Sequence, residues 1–251
     1  MSGDEKAKQD QSTTGVPERQ PIFNLPAAVA VIAGLFLVIE AAESLVLNES
    51  ARNEVLVWFA FIPYRLLDVA AAPGGIWPVL WTPFTHAFLH AGWEHVLLNT
   101  VWFLIFATPV SRRYGSVKLI LLFMLSALAG AALFAATTLP QQQFAILVGA
   151  SGGVAGLTGA AVRFIFQPVQ VAVHPETGER IVLGRKLASI GEALRHPTAR
   201  IFTLVWIELN GVVPLVPLFM PGMQVEIAWQ AHLGGFLFGF LAVPLLERRQ
   251  P

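Results

Sequence analysis

The sequence contains no cysteine and little charge. Only 13% of its 251 residues are charged, whereas soluble domains have about 25%. The absence of cysteine excludes disulfides, thiolate metal sites and a cysteine nucleophile. Acidic and basic residues balance at 16 each, so the net charge gives no indication of nucleic-acid binding. Hydrophobic residues make up 55% of the chain instead, which indicates an integral membrane protein.

Six apolar segments are candidate membrane spans, since a helix crosses the hydrocarbon core with about 20 residues. They cover roughly residues 26–47, 83–109, 117–138, 149–167, 200–220 and 228–246. The pattern predicts an all-α membrane protein whose six-transmembrane-helix bundle occupies residues 26–247. A polar tail over residues 1–25 is expected to be disordered, and residues 248–251 form a short second tail.

The segment 48–80 is too interrupted by proline, glycine and charged residues to be a span. Its aromatic residues favour a loop that lies in the membrane interface between the first two spans. Under a six-span topology most Lys and Arg residues share one side, and only Arg52 and Arg65 lie opposite. The positive-inside rule therefore predicts that both termini and the polar loop 168–199 are cytoplasmic. Within that loop, residues 180–198 are expected to form a short basic helix at the anionic headgroups.

Polar residues in three different spans are expected to lie at one depth. Asn99 follows His95 by one helical turn, Ser151 stands in the fourth span, and His232 opens the last. The number of residues between each of the four and the nearest cytoplasmic arginine, at about 1.5 Å per residue, gives its distance from the inner membrane face. All four then lie in the outer half of a hydrocarbon core about 30 Å thick. A fourth helix that begins at Ser151 leaves residues 140–150 non-helical at membrane depth, which is tolerated beside a water-filled cavity.

This group of residues has the composition of a serine hydrolase site. A serine hydroxyl needs a base to take its proton, and His232 is suited to that role for Ser151. The resulting oxyanion needs donors, which the Ser151 backbone N–H and the side chains of Asn99 and His95 can supply. No aspartate lies in any span, so a Ser–His dyad is a simpler hypothesis than a triad.

Alternative interpretations apply to several of these residues. Gly152, Gly235 and Gly239 are better explained by close helix packing than by chemistry. His86 and His90 have the i,i+4 spacing of zinc-binding helices, but the glutamate base of that motif is missing between them. No metal or other cofactor is therefore expected. A small transporter is disfavoured because matched pairs of broken helices are absent from the sequence.

Three glutamates lie within or beside the spans. Glu208, in the middle of the fifth span, is expected to be buried and either protonated or hydrogen-bonded in a structural network. Glu40 and Glu43, near the outer end of the first span, are expected to face water or the interfacial loop.

Three motifs, taken together, resemble those of the rhomboid family of intramembrane serine proteases. They are His86-x-x-x-His90-x-x-x-x-His95-x-x-x-Asn99, Gly149-Ala150-Ser151-Gly152 and Ala231-His232-x-x-Gly235-x-x-x-Gly239. The turn Arg113-Tyr114-Gly115-Ser116 is also similar. The resemblance covers about residues 26–247 and implies a six-helix core around a water-filled cavity. It further implies cleavage of transmembrane segments of membrane-protein substrates within the lipid bilayer of a bacterial inner membrane, with neither nucleic acid nor a metal as partner.

Carried over by position, the resemblance implies that Ser151 is the nucleophile and His232 the base. Asn99, His95 and the Ser151 N–H would bind the oxyanion. His90 would be structural and hold the outer loop, with His86 and Gly149 near the site, and the fifth span would be a lateral gate for substrate.

One position departs from the family pattern. Many members have an aromatic residue four positions after the serine, where it stacks on the catalytic histidine, and this chain has Ala155. Either another side chain supports the His232 ring, or the ring is looser and activity lower. The alternative is that the chain is a catalytically weak or inactive relative that binds transmembrane helices in quality control. The presence of both Ser151 and His232 argues against this alternative.

Overall fold

The structure, a computed structural model, describes residues 25–212 and 228–247. Its α-helices are α1 Ala27–Leu45, α2 Glu49–Phe59, α3 Thr82–Thr85, α4 Trp93–Tyr114, α5 Ser116–Thr138, α6 Ser151–Ile165, α7 Ile190–Arg195, α8 Pro197–Ile207 and α9 Trp229–Ala242. Short 3₁₀ turns cover Pro63–Leu66, Trp77–Leu80, His86–Phe88, Leu139–Gln141 and Val243–Leu246, and a π turn, Glu208–Val212, follows α8. Two antiparallel strands, β1 Val169–Val173 and β2 Arg180–Arg185, form a hairpin.

Three helices of the described chain are long and apolar enough to cross a membrane. They are α1, α5 with its 3₁₀ extension to Gln141, and α9 with its extension to Leu246. These three coincide with the first, third and last of the predicted spans. The predicted turn between the second and third spans is also present, because Gly115 has a φ of +84° and separates α4 from α5.

The centre of the bundle is a close contact between α6 and α9, with α5 packed against both. A Cβ atom on Gly235 would lie 1.9 Å from the carbonyl oxygen of Gly152, and one on Gly239 would lie 1.9 Å from that of Gly156. Only glycine allows two backbones to approach so closely. The packing role predicted for these glycines is therefore confirmed.

Aromatic side chains join α1 to α4 and α5. The ring centroid of Phe36 lies 5.3 Å from that of Phe103, and the Phe103 and Phe123 centroids are 5.5 Å apart. All three rings are buried, so this cluster anchors α1 to the rest of the bundle.

Helix α4 begins ten residues later than the second predicted span. Its N-terminus is at Trp93, after Gly92, whose φ of +122° is not helical. The residues before it form α3 and a 3₁₀ turn instead of one continuous helix. His86 and His90 therefore do not share a helix face, because His86 begins that 3₁₀ turn and His90 follows its end.

The loop after α6 contains the β-hairpin, so the prediction of an all-α chain is wrong in this segment. The predicted helix over residues 180–198 is wrong for β2, and α7 covers only its later part. Ser189 caps α7 in a reciprocal capping box with Glu192. Hydrogen bonds from Lys186 and from Ser189 hold the pKa of the exposed Glu192 carboxyl down at about 2.

Arg163 and Arg113 connect the base of the hairpin to the helices. The buried Arg163 side chain donates to the carbonyl oxygens of Ala188, at 2.8 Å, and of Phe240 in α9, at 2.7 Å. Arg113, in the last turn of α4, donates to the carbonyl oxygen of Arg185 at 2.5 Å. The hairpin therefore leaves the bundle at the end where α4 and α6 finish.

Of the environments predicted for the glutamates, the one for Glu208 is wrong, whereas Glu40 and Glu43 face the interfacial segment 48–80. Both are buried, with exposures of 2% and 5%, because α2 brings Arg52 close to them, and Glu40 also lies beside the Gly92 backbone. Glu208 is exposed among the described residues. The Trp206 side chain stacks on Phe236 of α9. Glu208 is two positions later, and residues two apart in a helix project from nearly opposite faces.

Three further predictions fall wholly or partly on residues outside the described ranges. They concern the tail over residues 1–25, the second half of the fifth span and the tail over 248–251.

Candidate active site

A cavity of about 840 Å³ lies between α4, α6, α9 and the non-helical segment before α6. Its lining includes Ser151, His232, His95 and Asn99. The structure thus brings together four side chains from three helices. His95, Ser151 and His232 are partly exposed, whereas Asn99 is buried, so the first three are accessible from the cavity.

Ser151 is the first residue of α6, as predicted. The helix has 15 residues and is about 22 Å long at 1.5 Å per residue, whereas the hydrocarbon core is about 30 Å thick. If α6 ends at one membrane face, it therefore begins inside the core.

The segment before α6 is non-helical and is held by backbone pairing. Leu147 exchanges two backbone hydrogen bonds with Phe61, at 2.9 and 3.1 Å, and the Gly149 N–H donates to the His86 carbonyl oxygen at 2.9 Å. These bonds satisfy backbone groups that a non-helical segment would otherwise leave unpaired.

Gly149 allows His95 and Ser151 to approach one another. Its φ of +116° lies in the region that favours glycine. A Cβ atom at this position would lie 2.8 Å from Nε2 of His95 and 3.7 Å from Oγ of Ser151. The two polar atoms therefore border the same small space, which any larger residue at position 149 would occupy.

Hydrogen bonds orient the two polar side chains of α4. The Ala91 N–H donates to Nδ1 of His95 at 3.2 Å, so Nδ1 is an acceptor and the neutral ring carries its proton on Nε2. Asn99 Nδ2 donates to the His95 carbonyl oxygen at 3.1 Å, which leaves one amide hydrogen of Asn99 available. His95 thus directs an N–H donor toward the space beside Ser151.

His90 and His86 support the segment before Ser151 and are absent from the lining of the cavity. His90 Nε2 accepts the Ala150 N–H at 3.4 Å, and the His90 ring lies edge-on to His95, with the centroids 5.2 Å apart. His86 is buried, and its Nδ1 atom lies 3.0 Å from the Thr82 carbonyl oxygen. In residues 25–212 and 228–247, no three His, Asp or Glu side chains are placed to hold a metal ion.

His232 lies in the first turn of α9. Its Nδ1 atom is enclosed and has no hydrogen-bond partner among the described residues. Ala155 is buried and packs with Phe236, on which the indole of Trp206 stacks at 4.5 Å between centroids. A second cavity of about 250 Å³ is lined by His232, Ala155 and Trp206 together. The space beside the missing aromatic residue is therefore bordered by a tryptophan from α8.

Several polar or aromatic residues of the main cavity were missed as site residues in the sequence, and three of them come from different segments. They are Trp102, Gln143 and Asn210. Trp102 follows Asn99 by three positions, so helical spacing places both on one face. Asn210 is a polar residue in an apolar run, which is a signal for a functional residue, and nothing in the sequence around Gln143 distinguishes it.

The fold and the cavity together define a helical membrane protein with a serine and histidines around an internal space. Comparison with protein families gives the same class. The family model described as Rhomboid domain matches residues 78–249, which is more than half of the chain. The chain belongs to the rhomboid family.

Relatives from bacteria and eukaryotes are similar to this chain. Rhomboid protease GlpG of Salmonella paratyphi A is 27% identical over 74% of this chain and 52% of its own length. RHOMBOID-like protein 1 of Arabidopsis thaliana is 29% identical over 64% of this chain and 33% of its own. Rhomboid-like protease 3 of Toxoplasma gondii is 36% identical over 38% of this chain and 34% of its own length. The chain thus spans between a third and about half of the length of these relatives.

Proposed function

We propose that this chain is an intramembrane serine endopeptidase that uses a Ser151–His232 dyad. The observation that carries the proposal is the single cavity into which α4, α6 and α9 bring Ser151, His232, His95 and Asn99. Membership of a family that includes proteins named as proteases supports the same reaction.

In the proposed acylation, Oγ of Ser151 adds to the carbonyl carbon of the scissile peptide bond while His232 takes the hydroxyl proton. The tetrahedral intermediate collapses when the C–N bond breaks and His232 returns the proton to the leaving amine. A water molecule then attacks the acyl-enzyme with His232 again as base, which releases the new carboxylate and regenerates the serine. The enclosed Nδ1 of His232, without a carboxylate partner among the described residues, is compatible with a dyad.

The proposed oxyanion hole consists of the Ser151 N–H and the side chains of Asn99 and His95. The first N–H groups of a helix have no acceptor within that helix, and Ser151 begins α6. The hydrogen bond from Ala91 to Nδ1 of His95 leaves the proton of that ring on Nε2. Both groups are thus donors before the negative charge develops, which is the preorganisation that lowers the barrier.

The proposed setting is a lipid bilayer, with transmembrane segments of membrane proteins as substrates. The domain would span residues 26–247 with six membrane helices, the segment 48–80 in the outer interface and the fifth helix as a lateral gate. Basic residues support cytoplasmic termini, as in a bacterial inner membrane, because Arg112 and Arg113 end α4 and Arg163 lies in the last turn of α6.

Ala155 favours a second candidate function, which is the binding of transmembrane helices without cleavage. No aromatic ring stacks on His232 from within the described part of the chain, so the base has less support than the family pattern provides. The two candidates differ in whether Ser151 reacts.

The test compares purified wild type with Ser151→Ala on a model transmembrane substrate, with and without a chelator. Ser111→Ala is the matched control, because Ser111 is a buried serine near the other end of α4 and outside the cavity. We expect wild type and Ser111→Ala to cleave equally, and Ser151→Ala to be slower by about a thousandfold or more. Equal cleavage by Ser151→Ala would overturn the serine mechanism, and loss of activity on chelation would indicate a metal enzyme.

A fluorophosphonate probe tests the role of the base separately. We expect the probe to label Ser151 in the wild type and to leave His232→Ala unlabelled, since the serine then lacks its proton acceptor. Persistent labelling would contradict the assignment of His232. Binding of the substrate without cleavage or labelling in the wild type would support the second candidate.

A further inference from the structure

The β-hairpin presents four valines on one face. Paired residues of antiparallel strands project from the same side, and Val171 pairs with Val182. Val169 and Val173 lie on that side too, because alternate residues of a strand share a face. We call these four residues the valine face. Their exposures are 47%, 51%, 61% and 68% for Val169, Val171, Val173 and Val182, and none of the strand residues is buried by the described part of the chain.

An apolar face of this kind is not stable by itself in water. An isolated two-stranded hairpin is at best marginally stable, and a contiguous exposed apolar patch marks a surface that contacts a membrane or a partner. The valine face therefore needs an apolar neighbour.

Basic residues frame the valine face at both ends. Arg180 pairs with Val173, and Arg185 pairs with Val169, so both arginines project from the same side as the valines. Arg185 also donates to the carbonyl oxygen of Gln167, which fixes it at the base of the hairpin. Apolar side chains flanked by arginine complement a layer of anionic headgroups above acyl chains.

The attachment of the hairpin limits where its neighbour can be. Only three residues separate the end of α6 at Ile165 from Val169, so the hairpin starts within roughly 14 Å of that helix end. On the return, Ala188 exchanges two hydrogen bonds of 2.8 Å with Arg163. Both ends of the hairpin are thus held at the end of a membrane helix, beside the headgroups of the surrounding bilayer.

We propose that the valine face docks on the anionic surface of the bilayer that contains the protein. The valines enter the headgroup boundary, and Arg180 and Arg185 bind lipid phosphates. The two carboxylates of the turn, Glu176 and Glu179, lie at the end remote from the bundle, and their repulsion from anionic lipid keeps them in water while Arg180 beside them contacts the headgroups. The docking rests on the membrane location of the chain and is independent of the reaction at Ser151.

The absence of cysteine from the wild type allows a clean test with one spin label per variant. Val171→Cys places a nitroxide on the valine face, and Gln170→Cys, one residue earlier, places the matched control on the opposite face. Both are made in the Ser151→Ala background and reconstituted in nanodiscs with and without anionic lipid. We then measure how often each nitroxide collides with oxygen, which concentrates in acyl chains. We also measure its collision rate with a neutral nickel chelate, which stays in water.

We expect the label at position 171 to collide preferentially with oxygen and the label at position 170 with the nickel chelate. The contrast should be larger with anionic lipid, and Arg180→Gln should lower the ratio of docked to undocked hairpin by roughly fivefold, since each arginine near an anionic surface contributes about this factor. Equal access of the nickel chelate to both positions would show that the hairpin stands in water and would overturn the proposal. Exclusion of both reagents at position 171 would show that protein covers the face, which would overturn it as well.

Discussion

Replacing Gly235 with alanine tests whether the contact between α6 and α9 sets the geometry of the dyad. Gly235 follows His232 by one helical turn, and Gly152 directly follows Ser151. The added Cβ would lie 1.9 Å from the Gly152 carbonyl oxygen, whereas non-bonded carbon and oxygen atoms approach to about 3.3 Å. The two helices must therefore separate by more than about 1 Å beside the reacting groups.

This separation should affect stability and activity differently. Overpacking of a close-packed contact costs about 1–3 kcal/mol, and the gain from replacing a helical glycine offsets about 0.5–1 kcal/mol of that cost. We expect the free energy of unfolding to fall by about 1–2 kcal/mol. A displacement of about 1 Å at a reacting centre can lower the rate by about a hundredfold, so the loss of activity should exceed the loss expected from unfolding alone.

Gly34→Ala is the matched control, because a Cβ on this glycine of α1 meets no atom within 4 Å. We expect this control to be as stable as the wild type or more stable by about 0.5–1 kcal/mol, with unchanged cleavage. The assays are reversible unfolding in mixed micelles and initial rates of cleavage and of fluorophosphonate labelling. A Gly235→Ala protein with wild-type stability and rates would refute the reasoning. Lower stability with an unchanged rate would refute the link between this contact and the dyad.

Two buried arginines outside the cavity give further predictions. Arg163→Met removes donors from the carbonyl oxygens of Ala188 and Phe240 and should lower the free energy of unfolding by about 2–4 kcal/mol, as measured by the same unfolding assay; an unchanged value would contradict this role. Arg65→Met removes donors from the carbonyl oxygens of Val57 in α2 and of Pro73 and Gly75 in the chain between α2 and α3. Hydrogen exchange should then rise in residues 57–75 while α6 stays protected, and equal exchange in both proteins would contradict that expectation.

Local patterns were sufficient for the start of α6 and the turn after α4. Ser151 follows Gly149, and the apolar run after it is too short for a complete span, so a late helix start was readable from spacing. Gly115 ends α4 with a positive φ, which glycine adopts readily. Such features depend on a few neighbouring residues and are therefore accessible without the fold.

Patterns of hydropathy gave wrong boundaries where backbone conformation changes inside an apolar segment. The predicted second span begins at residue 83, but Gly92 interrupts it and α4 starts at Trp93. The hairpin was missed because its strands lie in a segment that was classified by its charges. The alternation of Val169, Val171 and Val173 is typical of a strand and was available in the sequence.

The environments of isolated charged residues were not predictable. Arg65 is fully buried because the carbonyl oxygens of Val57, Pro73 and Gly75 converge on it, and the residue types around it do not indicate this convergence. The Glu40 carboxyl lies beside the backbone of Gly92, about fifty positions later. These contacts join separate segments, so they exist only once the chain is folded.

The sequence by itself determined that the chain is apolar enough for a membrane, which spans contain serine, histidine and asparagine, and that no aspartate accompanies them. Helical periodicity also placed His95 and Asn99 on one face. Only the tertiary structure decided that three helices direct these groups into one cavity, that Nε2 of His95 and Oγ of Ser151 border one space beside Gly149, and that Trp206 lies beside Ala155. The physical reason is that periodicity and hydropathy describe one helix at a time, whereas a site depends on the distances between helices. Contacts between glycines, such as that of Gly235 with Gly152, set these distances.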